Sequence, residues 1–211
     1  MTKAAAPLDP VKMTAMLRDG VLAIGPEDIG LSPEDCPQVW GVLMELGETE
    51  VVISLVALAD GSVSIYLSNG AGVIGCGLHP DVRVAASKLL NIAERATEFC
   101  RPATQYPMPD SGQVRVYLLT SQGILVGDAT RAALDEGEVG LAEMYYAGHG
   151  VIGVVELLGA GVDLVDEMRL AQGTVRKDNE PGVESVQEFK ARGRGCRILP
   201  YVGNVARRSQ N

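Results

Sequence analysis

The sequence predicts an α+β fold: an antiparallel sheet of about five to six strands packed against one long helix, with additional short helices. Three observations predict it. Apolar, β-branched runs follow one another from Val39 to Ser68, split by the turn signals Gly47-Glu48 and Asp60-Gly61. From Pro80 to Cys100 the apolar residues recur at helical spacing. A second pair of apolar runs, Val114 to Thr120 and Ile124 to Gly127, is split by Ser121-Gln122-Gly123.

The 211 residues suffice for one domain with a substantial core and an appendage. Residues 1–165 are expected to form that domain, with 1–38 as an N-terminal helical arm and 39–158 as the core. Residues 166–211 are expected to be a basic tail, partly disordered or docked.

Each element has its own signal. Asp9 can cap a short helix with Pro10 at its first position. Val11, Thr14 and Leu17 would share a face beside Met13 and Met16, and Gly20 would end the helix. Residues 21–31 read as a connecting arm, and Ser32-Pro33-Glu34-Asp35 as a single turn cut short by Pro37. Val39 to Leu46 is the first strand. Val51 to Ala59, nearly all apolar, suits a central strand buried on both faces. Asp60-Gly61 signals a type I′ hairpin. In Ser62 to Ser68, Val63, Ile65 and Leu67 alternate with Ser62, Ser64 and Tyr66. Gly72 to Cys76 offers a short fourth strand.

The helix from Pro80 to Cys100 has the clearest pattern. Val82, Ala85, Ala86, Leu89, Ile92, Ala93, Ala96 and Phe99 form its apolar stripe, and His79 can cap it. Arg101-Pro102 stops it, and a proline-rich loop follows to Gly112. A later helix starts near Val139, with Leu141, Met144, Tyr145, Ile152 and Val155 on one face. Gly148, Gly150 and Gly153 weaken it, so a break or a strand over 151–158 stays open.

Charge narrows the function classes. The net charge is −9. Residues 170–211 carry +4, which leaves −13 on residues 1–169. An acidic body disfavours broad binding to nucleic acid or anionic lipid. The tail holds five arginines and no acid after Ala191. With Ile198, Leu199 and Tyr201 as an apolar anchor, it suits docking on an acidic surface, its own or a neighbour's. It lacks the interleaved aromatics of a nucleic-acid platform. The first residues have no apolar run of signal-peptide length, and no stretch reaches the length of a membrane span. Cys36, Cys76, Cys100 and Cys196 are far apart, and His79 and His149 are the only histidines. That spacing fits thiols in a reducing cytoplasm better than a zinc site.

Candidate chemistry centres on the glycine-rich junction. Gly70-Ala71-Gly72-Val73-Ile74-Gly75 matches the G-x-G-x-x-G pattern, in which backbone approaches a pyrophosphate at a helix start. The context differs, because Gly77 and Pro80 precede the helix and no second parallel strand follows. Gly148-His149-Gly150-Val151-Ile152-Gly153 repeats the pattern without a strand before it. Ser68, Asn69, Gly70, Gly72, Gly75 and His79 are the candidate ligand-binding residues, through free N–H groups and the helix dipole. Cys76 with His79 would be a nucleophilic pair lacking an orienting acid. Trp40 belongs to the core or to an interface. No catalytic residue, metal ligand or cofactor is assigned.

The segments Trp40-Gly41-Val42-Leu43-Met44, Ala59-Asp60-Gly61-Ser62, Ser64-Ile65-Tyr66-Leu67-Ser68 and Tyr117-Leu118-Leu119-Thr120 resemble a group of short uncharacterised bacterial proteins over roughly Val39 to Leu158. That resemblance implies a shared fold and no activity. The succession hairpin, helix, hairpin, helix, with Leu118-Leu119-Thr120 and Gly123 in the second hairpin, is similar to the roadblock (dynein light chain) and profilin-like class. That class implies dimeric adaptors, some of which regulate small GTPases. Here three or four strands precede the central helix, where the roadblock pattern has two.

The expected function is therefore a cytoplasmic interaction or adaptor module that forms homodimers or binds another protein, rather than an enzyme. The alternative is a small-ligand or nucleotide-binding protein, conceivably an enzyme, using residues 68–79. Contact with nucleic acid would fall to the tail.

Overall fold

The computed structural model describes residues 9–137, 140–158 and 197–199. Its strands are β1 (Val39–Gly47), β2 (Val52–Leu58), β3 (Val63–Leu67), β4 (Gly72–Ile74), β5 (Arg101–Pro102), β6 (Gln113–Thr120), β7 (Gly123–Thr130) and β8 (Arg197–Leu199). They form one sheet in the order β5-β7-β6-β1-β2-β3-β4-β8. Every neighbouring pair is antiparallel. Among the described residues the sheet thus has eight strands where five to six were expected, because short segments pair at both edges. Arg101 and Pro102, read as a helix stop, also pair with Val126 and Leu125. The helices are α1 (Pro10–Ala23), α2 (Pro80–Ala96), α3 (Arg131–Asp135) and α4 (Ala142–Leu157). The fold is α+β.

Two apolar layers flank the sheet. On one face Val42, Met44, Leu55 and Ile65 meet Ala86 and Leu89 of α2 and Met144 and Ile152 of α4. The alanines of α2 let it lie close to the strands, as the stripe required. On the other face Trp40, Leu43, Val56, Tyr66, Tyr117 and Leu119 are covered by Leu17, Leu22, Ile24, Ile29 and Leu31. The segment read as a connecting arm is therefore the cover of a second core, and β1 is buried from end to end.

Several elements differ from expectation for local reasons. α1 runs through Gly20 to Ala23, and the Ile24 N–H closes it onto the Gly20 carbonyl. Its buried face is Thr14, Arg18 and Val21, while Val11 and Met16 are exposed. An ion pair from Arg18, described below, turns the helix that way. Asp9 caps it as expected, accepting from the Val11 N–H at 2.9 Å. The β2–β3 turn is closed by the Gly61 N–H on the Leu58 carbonyl, so Ala59 and Asp60 are its central residues. Gly61 follows at φ +88°, the arrangement of a longer bulged loop rather than a two-residue type I′ turn. α2 ends at Ala96 and tightens into a 3₁₀ turn over Thr97–Phe99, which leaves Phe99 exposed instead of on the buried stripe. Residues 151–157 are helical. Gly148 sits where its bare Cα admits Met44, since a Cβ there would lie 2.5 Å from the sulfur.

Candidate functional site

The glycine junction does not gather its residues into one place. Ser68, Asn69 and Gly70 form the turn from β3 into β4, whereas Gly75 and His79 lie beyond the far end of β4. A three-residue strand keeps the two groups about 10 Å apart or more. The polar atoms of the turn are engaged. Ser68 Oγ accepts from the Val52 N–H at 3.0 Å, and Asn69 Oδ1 accepts from the Ala71 N–H at 3.1 Å. The Gly70 N–H donates to the Leu67 carbonyl. A Cβ at Gly70 would lie 2.7 Å from Pro10 Cβ, so this glycine admits the start of α1. Gly72 pairs with Tyr66 on one side and Leu199 on the other.

At the other end, Gly75 takes φ +77° ahead of a 3₁₀ turn over Cys76–Leu78. Gly77 abuts the Gly61 carbonyl so closely that no Cβ fits. His79 occupies the N-cap position of α2, but its side chain makes no cap hydrogen bond. Cys76 is fully buried in the first core. Of the G-x-G-x-x-G match, Gly70 thus packs against the start of α1, while Gly75 supplies a positive-φ turn.

Two polar clusters were not read from the sequence. In the first, Arg18 of α1 donates to both Glu45 oxygens, Nε to Oε1 at 2.7 Å and Nη2 to Oε2 at 2.9 Å. Ser54 Oγ donates to the same carboxylate at 3.0 Å, and Arg18 Nη2 also donates to the Tyr106 carbonyl at 2.9 Å. The Tyr117 hydroxyl donates to the Pro107 carbonyl at 2.7 Å, and its ring lies edge-on to Tyr106. Burial works against the Arg18 charge, yet hydrogen bonding and attraction from Glu45 carry its pKa above the ordinary value. Burial likewise pushes the Tyr117 hydroxyl up. This cluster fastens α1 and the proline-rich loop to the sheet. One signal was available: Glu45 is the single charge in the apolar run Val39 to Leu46.

In the second cluster Arg131, at the start of α3, forks onto Glu48 in the β1–β2 turn, with Nη1 to Oε2 at 3.0 Å. The hydrogen bond to Glu48 holds the Arg131 pKa above its usual value. Tyr145 and His149 of α4 stand beside it with ring centroids 4.5 Å apart. Burial, then the charge of Arg131, lowers the His149 pKa from its ordinary value of 6.5. Among the described residues, His149 Nε2 and Arg131 Nε are buried without a hydrogen-bond partner. The Arg131 cation here already faces the Glu48 carboxylate, so the arrangement clasps elements together.

The surface offers more. Trp40, 3% exposed, belongs to the core beneath the arm. A groove of about 630 Å³ follows the outer side of α2, lined by Leu78, Pro80, Arg83, Val84, Ser87, Lys88 and Asn91. On α4, Tyr146 and Leu157 are exposed at 51% and 89%. At the β4 edge, β8 pairs antiparallel, with Gly72 opposite Leu199, Val73 opposite Ile198 and Ile74 opposite Arg197. Tyr201 and Cys196 lie outside the described residues. Among the described residues no group of three or more His, Cys, Asp and Glu could hold a metal ion, and no helix is long and apolar enough to cross a membrane. A scan against family models and searches of curated proteins and of solved structures return no match to this chain.

Proposed function

We propose that this chain is a non-catalytic interaction module that associates with a second copy of itself through the outer side of α4. The observation that carries the reading is a stripe on that helix: Tyr146, Gly150, Gly153 and Leu157, at the i, i+4, i+7, i+11 spacing of one face. A glycine inside a helix costs up to about 1 kcal/mol relative to alanine. Gly148 has a reason within the chain, because Met44 fills its space. Among the described residues Gly150 and Gly153 have none, since a Cβ at either would meet nothing within 4 Å. A helix arriving from outside would supply the reason. The stripe is also self-complementary. An antiparallel pairing about a two-fold axis between Val151 and Ile152 sets Gly150 against Gly153 of the second copy and Tyr146 against Leu157 of the second copy. Such a patch suits an isologous interface.

The polar clusters accord with this reading, because Arg18, Arg131 and Arg115 are each spent on a carboxylate of the same chain. A cytoplasmic setting accords with Cys36 and Cys100 standing unbridged.

Light scattering across a concentration series tests the reading. The wild type should reach twice its 22.3 kDa chain mass. Gly150→Leu, placed where there is open space, should keep the circular dichroism of the wild type and shift the mass to that of one chain. A wild type that stays at one chain mass, or a Gly150→Leu variant that associates as well as the wild type, would refute it.

A further inference from the structure

The two edges of the sheet are protected differently. β5 is two residues long, contains Pro102 and leads into the loop with Pro107 and Pro109, so little of that edge can accept a further strand. β4 is also short, at three residues, but lacks the prolines. It reads Gly72-Val73-Ile74, with no proline and no charge, and its free side would present unpaired N–H and C=O groups. What covers it is β8, in register with all three residues. β8 does not follow β4 in the chain. It lies beyond residues 159–196 in the sequence, so three paired residues join segments far apart in the chain. That is a poor way to seal an edge permanently and a workable way to occupy it reversibly.

We infer that the β4 edge is a docking site for an extended, basic segment of another protein, and that Arg197–Leu199 is its built-in competitor. The resident strand defines the chemistry. Its sequence is Arg-Ile-Leu, within a stretch with five arginines and no acid after Ala191, and residues 1–169 carry a net charge of −13. Strand addition supplies affinity through the backbone, while alternate side chains and the charge contrast select the ligand. A tethered competitor acts at high effective concentration, so an outside segment binds well only once the tail has left.

The test uses the full chain and a fluorescein-labelled synthetic peptide of residues 192–201. Leu199→Pro in the chain removes the N–H that faces Gly72 and releases β8, since Val73 turns its own N–H and C=O towards Ile65 and leaves Gly72 and Ile74 to pair with Leu199 and Arg197. Fluorescence polarisation should show the peptide binding the Leu199→Pro chain at least tenfold more tightly than the wild type. A peptide carrying proline at the position of Leu199 should bind neither. Equal affinity for the two chains, or undiminished binding of the proline peptide, overturns the inference. So does a Leu199→Pro chain with a lower mass in light scattering than the wild type, because the occupant would then be the strand of a second copy. Should Leu199→Pro aggregate, hydrogen exchange on the wild type gives the same answer. Excess peptide should strip protection from the Arg197 and Leu199 amides while Gly72–Ile74 keep theirs, and unchanged protection at Arg197 and Leu199 overturns the inference.

Discussion

Replacing Arg18 by Met tests how the N-terminal arm is held. Glu45 has no exposed side-chain surface, and Arg18 only 6%. Without the guanidinium, the carboxylate keeps a single described donor, the Ser54 hydroxyl. Removing one partner of a buried pair costs about 3–5 kcal/mol, because the remaining charge stays desolvated. For a domain of this size each kcal/mol moves Tm by about 2–4 °C, so the expected drop is roughly 6–20 °C. Helix propensity is not the cause, since Arg and Met are close in rank. Replacing both members, Arg18→Met with Glu45→Leu, should recover most of the loss, because apolar groups of similar size at such sites are often neutral or stabilising. Urea melts followed by circular dichroism and by emission of Trp40 would measure both variants. Trp40 is the one tryptophan of the chain and lies on the same face of the sheet as Tyr117. A loss below about 1 kcal/mol for Arg18→Met, or a double variant no more stable than the single, would refute the argument.

Other outcomes follow from the same geometry. Stability should fall as pH drops from about 7 towards 5. The unfolded chain protonates His149 near pH 6.5, whereas the folded chain, with burial and Arg131 outweighing Asp135 and Glu48, takes that proton only at lower pH. His149→Gln should flatten that slope in melts taken across the range, and an unchanged slope would count against it. Gly77→Ala should destabilise strongly, by about 2 kcal/mol or more, because the new methyl meets the Gly61 carbonyl; thermal melts would show it. The Cys100 thiol is pushed up to about 11 by burial and by Asp128. At pH 8 it should therefore react with Ellman's reagent on the order of 100-fold more slowly than an ordinary thiol, a rate that mass spectrometry of the modified peptides can assign.

The sequence exposed those parts of the fold that rest on period and punctuation. The strand pairs around Asp60-Gly61 and Ser121-Gln122-Gly123 formed where the apolar runs lie, since the runs and their punctuation mark the same breaks, although the first turn is a bulged loop and not type I′. The buried stripe of α2 was legible for the same reason as far as Ala96. Phe99 fails because a 3₁₀ turn changes the period before the chain reaches it. The face of α1 was read in part: Thr14 and Leu17 face the sheet, but Val11 and Met16 do not, and the buried Arg18 looks like any solvent-facing charge until Glu45 is known to sit opposite. Nothing local could place β8 on β4, as the pairing spans residues far apart in sequence. The candidate ligand site was assembled from neighbours in sequence, and β4 keeps them apart in space. The α4 stripe was hidden by its own glycines, which argue against helix when read one at a time. The difference between Gly148 and its two successors appears only once Met44 is seen against the first.

Sedimentation equilibrium of the full chain, with and without Gly150→Leu, reaches the central claim most directly. The account predicts a reversible equilibrium between one and two chains of 22.3 kDa that the substitution abolishes. A single species of one-chain mass at every concentration would contradict it, as would a dimer indifferent to residue 150.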